Sequence, residues 1–291
     1  MPTKLVAGMA GIRRRRVIRI LLLTAVALPL CGFGSIESLL APGKDLWRRW
    51  TANDSASTAR IDHDAWTVFL RKYLVAGEVN RLRYDAVTAA DRHALDSYIA
   101  RLTATPISRY NRSEQLAYWI NLYNALTIDL VLQHYPIGSI RDIDISPGWF
   151  TVGPWDKDLV TVEGAAVSLN DIEHRILRPI WNDPRLHYAL NCAALGCPNL
   201  QPLAFTADNA DRLMEQAAHD FINSRAFRVK DGRLVVSSIY AWFSEDFGGG
   251  EAGVLAHLRR YAAPPVAAEL APFRNIGGDE YDWRLNDPGG Q

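Results

Sequence analysis

The segment from about Ser113 to His134 reads as one long helix, and Pro136 stops it. Asn111 with Glu114 three residues on, or Ser113 itself, supplies an amino-terminal cap ahead of Leu116 and Trp119. At 3.6 residues per turn, Ala117, Asn121, Asn124, Ile128 and Val131 share one stripe, so two amides sit on a face that otherwise looks inward. Buried amides must find partners. Either they tie neighbouring backbone down by hydrogen bonds, or they line a pocket and orient a substrate carbonyl. Asn121 and Asn124, with Tyr123 on the same helix, are therefore candidate substrate-binding residues.

Around this helix the pattern is mixed. Apolar residues at helical spacing predict helices over His63 to Leu74 and Ala89 to Leu102. Trp149 to Val167 alternates β-branched and aromatic residues with Gly and Asp, which predicts short strands; Ser168 with Asp171 then caps a helix to about Leu177, ended by Pro179. Leu186 to Leu190 reads as a buried strand, and a helix capped by Thr206 follows. Asp231-Gly232 between Phe227–Val229 and Arg233–Val236 is a hairpin turn signal. A helix near Gly253 to Tyr261 and a short aromatic tail complete the chain. The expected fold class is α+β: a single mostly helical domain with a small, largely antiparallel sheet.

The amino terminus predicts export. A basic stretch ending at Arg19 precedes the apolar run Ile20 to Cys31, within the length of a signal h-region and short for a membrane span. Residues 1–34 are thus expected to be a signal peptide or an N-terminal anchor, and a Pro-, Gly-, Ser- and Asp-rich stretch makes 35–60 a flexible tether. A single globular domain over 61–286 and a tail over 287–291 complete the division. The whole chain has 32 basic and 32 acidic residues, but six of the bases and none of the acids lie in 1–34. The remainder therefore carries a formal charge of −6, which argues against nucleic acid as a partner. Periplasmic or secreted location is expected, with membrane contact only through an uncleaved N-terminal segment.

Two further constellations carry chemistry. Cys192 and Cys197, the body's two cysteines, lie in a Gly- and Pro-containing loop just after His187. A thiol near a histidine is a candidate nucleophile, with His187 or His174 as base. The same pair in an oxidising compartment closes a small disulfide. Their spacing is not that of a structural zinc site, so no metal is expected. Glu173 and His174 on one segment, and Trp242 with Asp246 on another, add a carboxylate that orients an imidazole and an acid held against aromatics.

The order of motifs brings a resemblance. Tyr118-Trp119-Ile120-Asn121-Leu122-Tyr123-Asn124-Ala125-Leu126 comes first, followed by Ser168-Leu169-Asn170-Asp171-Ile172-Glu173-His174 with Arg178-Pro179. Asp183-Pro184-Arg185 through Cys197-Pro198, Trp242 with Asp246-Phe247, and Tyr281-Asp282-Trp283-Arg284-Leu285-Asn286 complete the set. Together they resemble the uncharacterised family catalogued as domain of unknown function 547. The resemblance implies a reusable module, found in bacterial proteins with export signals, and assigns it no activity.

Two functions are expected from these residues. The first is a cofactor-independent thiol hydrolase or acyltransferase acting on an amide or ester of the cell envelope. Its catalytic residues would be Cys197, Cys192, His187, Glu173 and His174; Asn121, Asn124, Tyr123, Trp242 and Asp246 would bind substrate. The alternative is a non-enzymatic envelope module that binds a peptide, ester or glycan, with Cys192 and Cys197 structural.

Overall fold

A computed structural model describes residues 41–148 and 152–289. The expected signal or anchor over 1–34, and the first residues of the expected tether, lie outside the described residues. Among those described, no helix is long and apolar enough to cross a membrane.

The fold is built on the long helix. Helices α1 (Asp64–Tyr73) and α2 (Ala89–Ala104), joined through the two-residue strands β1 (Leu74–Val75) and β2 (Arg81–Leu82), pack with α3 (Arg112–His134). Asn111 caps α3 by accepting the Glu114 N–H. Every residue from Ala117 to Ile128 is buried, as befits a helix apolar on most of its circumference. The hairpin β3 (Val160–Val162) and β4 (Ala165–Val167) leads to α4 (Asp171–Leu177) and α5 (Arg178–Trp181). Then come α6 (Leu186–Ala189), the cysteine loop and α7 (Ala210–Ile222).

A second apolar cluster joins α7 to the strands β5 (Phe227–Lys230) and β6 (Arg233–Ser237), to α8 (Ile239–Trp242) and to α9 (Gly250–Tyr261). Helix α10 (Pro264–Leu270) and strand β7 (Gly278–Glu280) follow. The fold is thus mostly helical α+β, as expected, although the described residues form three small sheets and not one. Pairing is antiparallel except for β7, which runs parallel to β6 with Val236 opposite Asp279.

Several local expectations are corrected. Pro179 does not end its helix. The turn before it widens, so that Arg178 N–H donates to Glu173 O five residues back, and Pro179 sits where no N–H is required. The helix ends instead at Asn182, in the left-handed region at φ +49°. Leu186 to Leu190 is not a strand but the helical turn α6, closed by Leu190 N–H to Leu186 O. A five-residue apolar run is compatible with either period. The aromatic tail contains α10 and β7, segments of seven and three residues, too short to show a period of their own. The Asp231-Gly232 hairpin forms as expected, with Lys230 opposite Arg233 and both turn residues at positive φ.

The expected tether is part of the body from at least Asp45. The Asp45 and Trp47 N–H groups donate to His174 O and Arg175 O, and the buried Trp50 packs edge-on to Trp119 at 5.0 Å. Farther along, Glu114 accepts from the Arg60 guanidinium and the Ile61 N–H. A polar stretch gains a fixed path when its few large apolar residues find a core. At the other end, buried Asp287 accepts from the Tyr135 hydroxyl at 2.6 Å, so the body reaches past 286.

Candidate functional site

A cavity of about 460 Å³ opens where α4, α6, the cysteine loop, α8 and the segment 281–283 meet. Glu173 and His174 reach it from α4, His187 from α6, Trp242 from α8, and both cysteines from their loop. The widened turn of α4 is what separates Glu173 from Arg178 by a hydrogen bond of five-residue span while leaving both pointed at this region.

Buried charge organises the floor. Asp246 Oδ2 accepts from Arg178 Nε at 2.6 Å and from His187 Nε2 at 2.7 Å, while Lys44 Nζ lies 2.8 Å from Oδ1. Arg178 Nη1 donates to His174 Nδ1 at 2.9 Å and to Pro42 O at 2.8 Å. Because a guanidinium only donates, His174 accepts at Nδ1 and keeps its proton on Nε2. His187 turns its other nitrogen, Nδ1, to Glu173 Oε1 at 3.6 Å, and its ring stacks on Phe243 at 4.4 Å between centroids. Burial opposes the Glu173 charge, yet His174, the facing His187 and Arg178 outweigh it and hold the carboxyl at about 2. Asp246 is also held far below the usual carboxylate range: burial works against its charge, and His187, Arg178 and Lys44 overcome that. Burial pushes His174 down to about 4, with Glu173 opposing and Arg178 adding to the fall.

The sulfurs lie beside this cluster. Cys192 and Cys197 are joined as a disulfide. Cys192 N–H donates to Cys197 Sγ at 2.9 Å, and the Tyr281 hydroxyl is 3.1 Å from each sulfur. Burial raises the Tyr281 pKa, with Arg225 opposing and Glu173 reinforcing, so the phenol keeps its proton and donates. The loop is fixed independently of its bond: Asn191 Nδ2 donates to Pro198 O, Gly196 N–H to Asp282 O, and Arg225 to the carbonyls of Leu195 and Cys197. A Cβ on Gly196 would stand 2.9 Å from Asp282 N, so only glycine allows this approach.

Aromatic rings form the opposing wall. Trp283 stacks on Trp242 at 5.5 Å and meets Trp155 edge-on at 5.6 Å, while Tyr281 packs on both Trp242 and Trp283 at 4.7 Å. Tyr123 lines the same cavity as Glu173 and Trp155; burial raises its hydroxyl well above the usual phenol range, and the Glu173 charge reinforces this.

The structure thus brings Cys197, Cys192, His187, Glu173, His174, Tyr123 and Trp242 to one cavity, with Asp246 behind His187. It does not bring Asn121 and Asn124 there. Asn121 pairs with both backbone groups of Phe205, at 2.7 Å and 3.0 Å, and Asn124 with Ala189 O and Asn191 N–H, each at 2.9 Å. They are clamps between α3 and two other segments, a correction forced by unpaired backbone that only a long side-chain amide reaches. Sequence reasoning missed Arg178, Lys44, Tyr281 and Trp283 as site residues. A lone arginine four residues after His174 inside Ile176-Leu177-Arg178-Pro179-Ile180 was a usable signal; Lys44 in a polar stretch gave none. Among the described residues, no group of three or more His, Cys, Asp or Glu is arranged to hold a metal ion.

Buried neutral histidines set an acid limit. His63, His174 and His257 are each pushed by burial from 6.5 down to about 4. Between these values the unfolded chain binds protons that the folded chain refuses, so stability is full above pH 6.5 and falls as pH drops toward 4. Glu173, lowered from 4.5 to about 2, extends the loss below pH 4.5. At about 1.4 kcal/mol per unit and group, urea unfolding at pH 7.5 and pH 4.5 should differ by several kcal/mol. A flat profile over that range would show these imidazoles to be solvated.

The class defined by these features is a mostly helical α+β domain with a cavity that joins a carboxylate-flanked histidine, a cysteine pair and an indole wall. Residues 107–222 match the family described as "Protein of unknown function, DUF547". The resemblance to that family is carried by a stretch that contains α3 and the site residues from Glu173 through Cys197; Trp242, Asp246 and Tyr281 lie beyond the match. No curated protein and no solved structure matches the chain.

Proposed function

We propose that the protein is an exported, cofactor-independent thiol hydrolase or acyltransferase acting on an amide or ester of the cell envelope. Cys197 of the reduced chain is the nucleophile and His187 the base. The observation that carries this reading is the orientation of His187. Asp246 accepts the Nε2–H hydrogen bond and Glu173 lies 3.6 Å from Nδ1, so the ring stands with a carboxylate at each nitrogen in the cavity that both sulfurs line, and these carboxylates stabilise the imidazolium formed when neutral His187 takes the thiol proton at Nδ1. The Cys192 N–H and the Tyr281 hydroxyl, both directed at Cys197 Sγ, favour its thiolate once the pair is reduced. That thiolate adds to the substrate carbonyl carbon, a thioester forms as the C–N or C–O bond breaks, and the leaving group takes its proton from His187. Water or an acceptor hydroxyl or amine then releases the acyl group.

A second reading is favoured by the disulfide itself: an envelope binding module whose ligand stacks on Trp242 and Trp283 while the sulfurs stay joined. The two readings separate on the reduced chain treated with a p-nitrophenyl ester and followed by intact mass. Acyl transfer requires one acyl group on Cys197, lost in Cys197→Ser, and formed ~10²- to 10⁴-fold more slowly in His187→Ala. If the reduced, folded chain takes up no acyl group at any cysteine, the enzyme reading falls and the binding module stands.

A further inference from the structure

We infer that Cys192 and Cys197 form a redox-active disulfide, and that the protein exchanges it with an incoming dithiol through attack on Cys192. The inference goes beyond acyl transfer and does not depend on it. The two sulfurs are unequal. Both line the cavity, but Cys192 is half-buried whereas Cys197 is only 3% exposed, so an attacking thiolate reaches Cys192 Sγ first. The sulfur that must then leave, Cys197 Sγ, alone receives the Cys192 N–H, at 2.9 Å, and the Tyr281 hydroxyl, 3.1 Å from either sulfur, donates to it as well. Exchange is faster when the departing thiolate is stabilised, and these two donors are in place before the bond breaks. Arg225, whose guanidinium donates to the carbonyls of Leu195 and Cys197, adds a positive charge within the same loop.

The loop is also built to survive opening. Its backbone is held by Asn191, by Arg225 and by the strand-like contacts of Leu195 and Gly196 with Arg284 and Asp282, none of which uses the S–S bond. A bond that closes so short a loop restricts the unfolded chain little, so structural stabilisation is a weak reason for it.

An incoming thiolate forms a bond to Cys192 Sγ, the Cys192–Cys197 bond breaks, and its electron pair leaves on Cys197 as thiolate. The second thiol of the dithiol then attacks the mixed disulfide, releasing Cys192 as a thiolate that takes a proton from solvent. The protein pair is reduced and the dithiol is oxidised.

Reduced glutathione, a monothiol, arrests the reaction at its first stage. The folded, oxidised chain is incubated with it, quenched in acid, alkylated and mapped by peptide mass. Glutathione should be found on Cys192 at least tenfold over Cys197, with Cys197 alkylated. An adduct chiefly on Cys197 overturns the assignment, as does a folded chain that stays unreacted while the urea-unfolded chain reacts. In Tyr281→Phe, shown to be folded by its melting transition, loss of one donor to the leaving thiolate should slow exchange by roughly tenfold; an unchanged rate removes the leaving-group argument. If that variant does not fold, the map of the unaltered chain decides. A chain that exchanges in this way yet takes no acyl group when reduced would leave this inference standing and overturn acyl transfer alone.

Discussion

Replacing Asp246 by Ala should lower the unfolding free energy by about 3–5 kcal/mol, the range for removing one partner of a buried ion pair. The reason is what it strands. Arg178 is 3% exposed and its Nε has Asp246 as acceptor; His187 Nε2 and Lys44 Nζ meet at the same carboxylate. Without that carboxylate, a buried guanidinium keeps Pro42 O and the His174 ring as hydrogen-bond partners and the Phe243 face, but no anion in direct hydrogen-bond contact. Asp246→Asn is the informative companion, because one amide oxygen still accepts from Arg178 or His187 but the negative charge is gone. It should destabilise less than Ala and still remove most of the proposed acyl transfer, since the charge that holds the proton on His187 Nε2 and stabilises its imidazolium is gone. Urea unfolding of the two variants, each with ester turnover after reduction, reads both effects. A loss under about 1 kcal/mol for Ala, the worth of an exposed pair, would mean that the cluster is solvated.

How much of this was legible in the sequence depends on the range of the interaction involved. The α3 helix was legible because its cap, period and terminating proline are all local. The same is true of the Ser168–Asp171 cap and the Asp231-Gly232 hairpin. The expected meeting of His187, Cys192, Cys197, Glu173 and His174 with Asn121 and Asn124 in one cleft holds for the first five and fails for the two amides, because helical periodicity shows that a face is buried but not what it is buried against. Three things were not readable. The widened turn at Arg178 is a backbone adjustment to Pro179 that residue types do not announce. Lys44 and Trp50 look like tether residues until Asp246 and Trp119 are brought to them by tertiary packing. Strand β7 pairs parallel to β6 across about forty residues, a non-local partnership with no periodic signal of its own. Tyr281 and Trp283 were noticed as part of a motif, but only this strand delivers them to the cavity.

The misplaced amides lead to the second large effect. Asn121→Ala should cost about 3–5 kcal/mol, because it acts on two backbone groups at once. Asn121 is fully buried, and its side chain replaces a missing strand partner: Nδ2 donates to Phe205 O and Oδ1 accepts from Phe205 N–H. Truncation leaves a buried donor and a buried acceptor unsatisfied, at about 1–3 kcal/mol each, and opens a small void. Asn121→Asp tests the geometry more finely. Its carboxylate still accepts from the N–H but faces the Phe205 carbonyl with no proton to give, so it should be no better than Ala at neutral pH. Asn124→Ala removes the same kind of clamp from Ala189 and Asn191, between His187 and the sulfurs. It should therefore match Asn121→Ala in stability and, unlike it, also loosen the cysteine loop, raising the rate at which glutathione reaches Cys197. Were Asn121→Ala to keep full stability while abolishing ligand binding or turnover, the clamp assignment would be wrong and the amide would belong to the site after all.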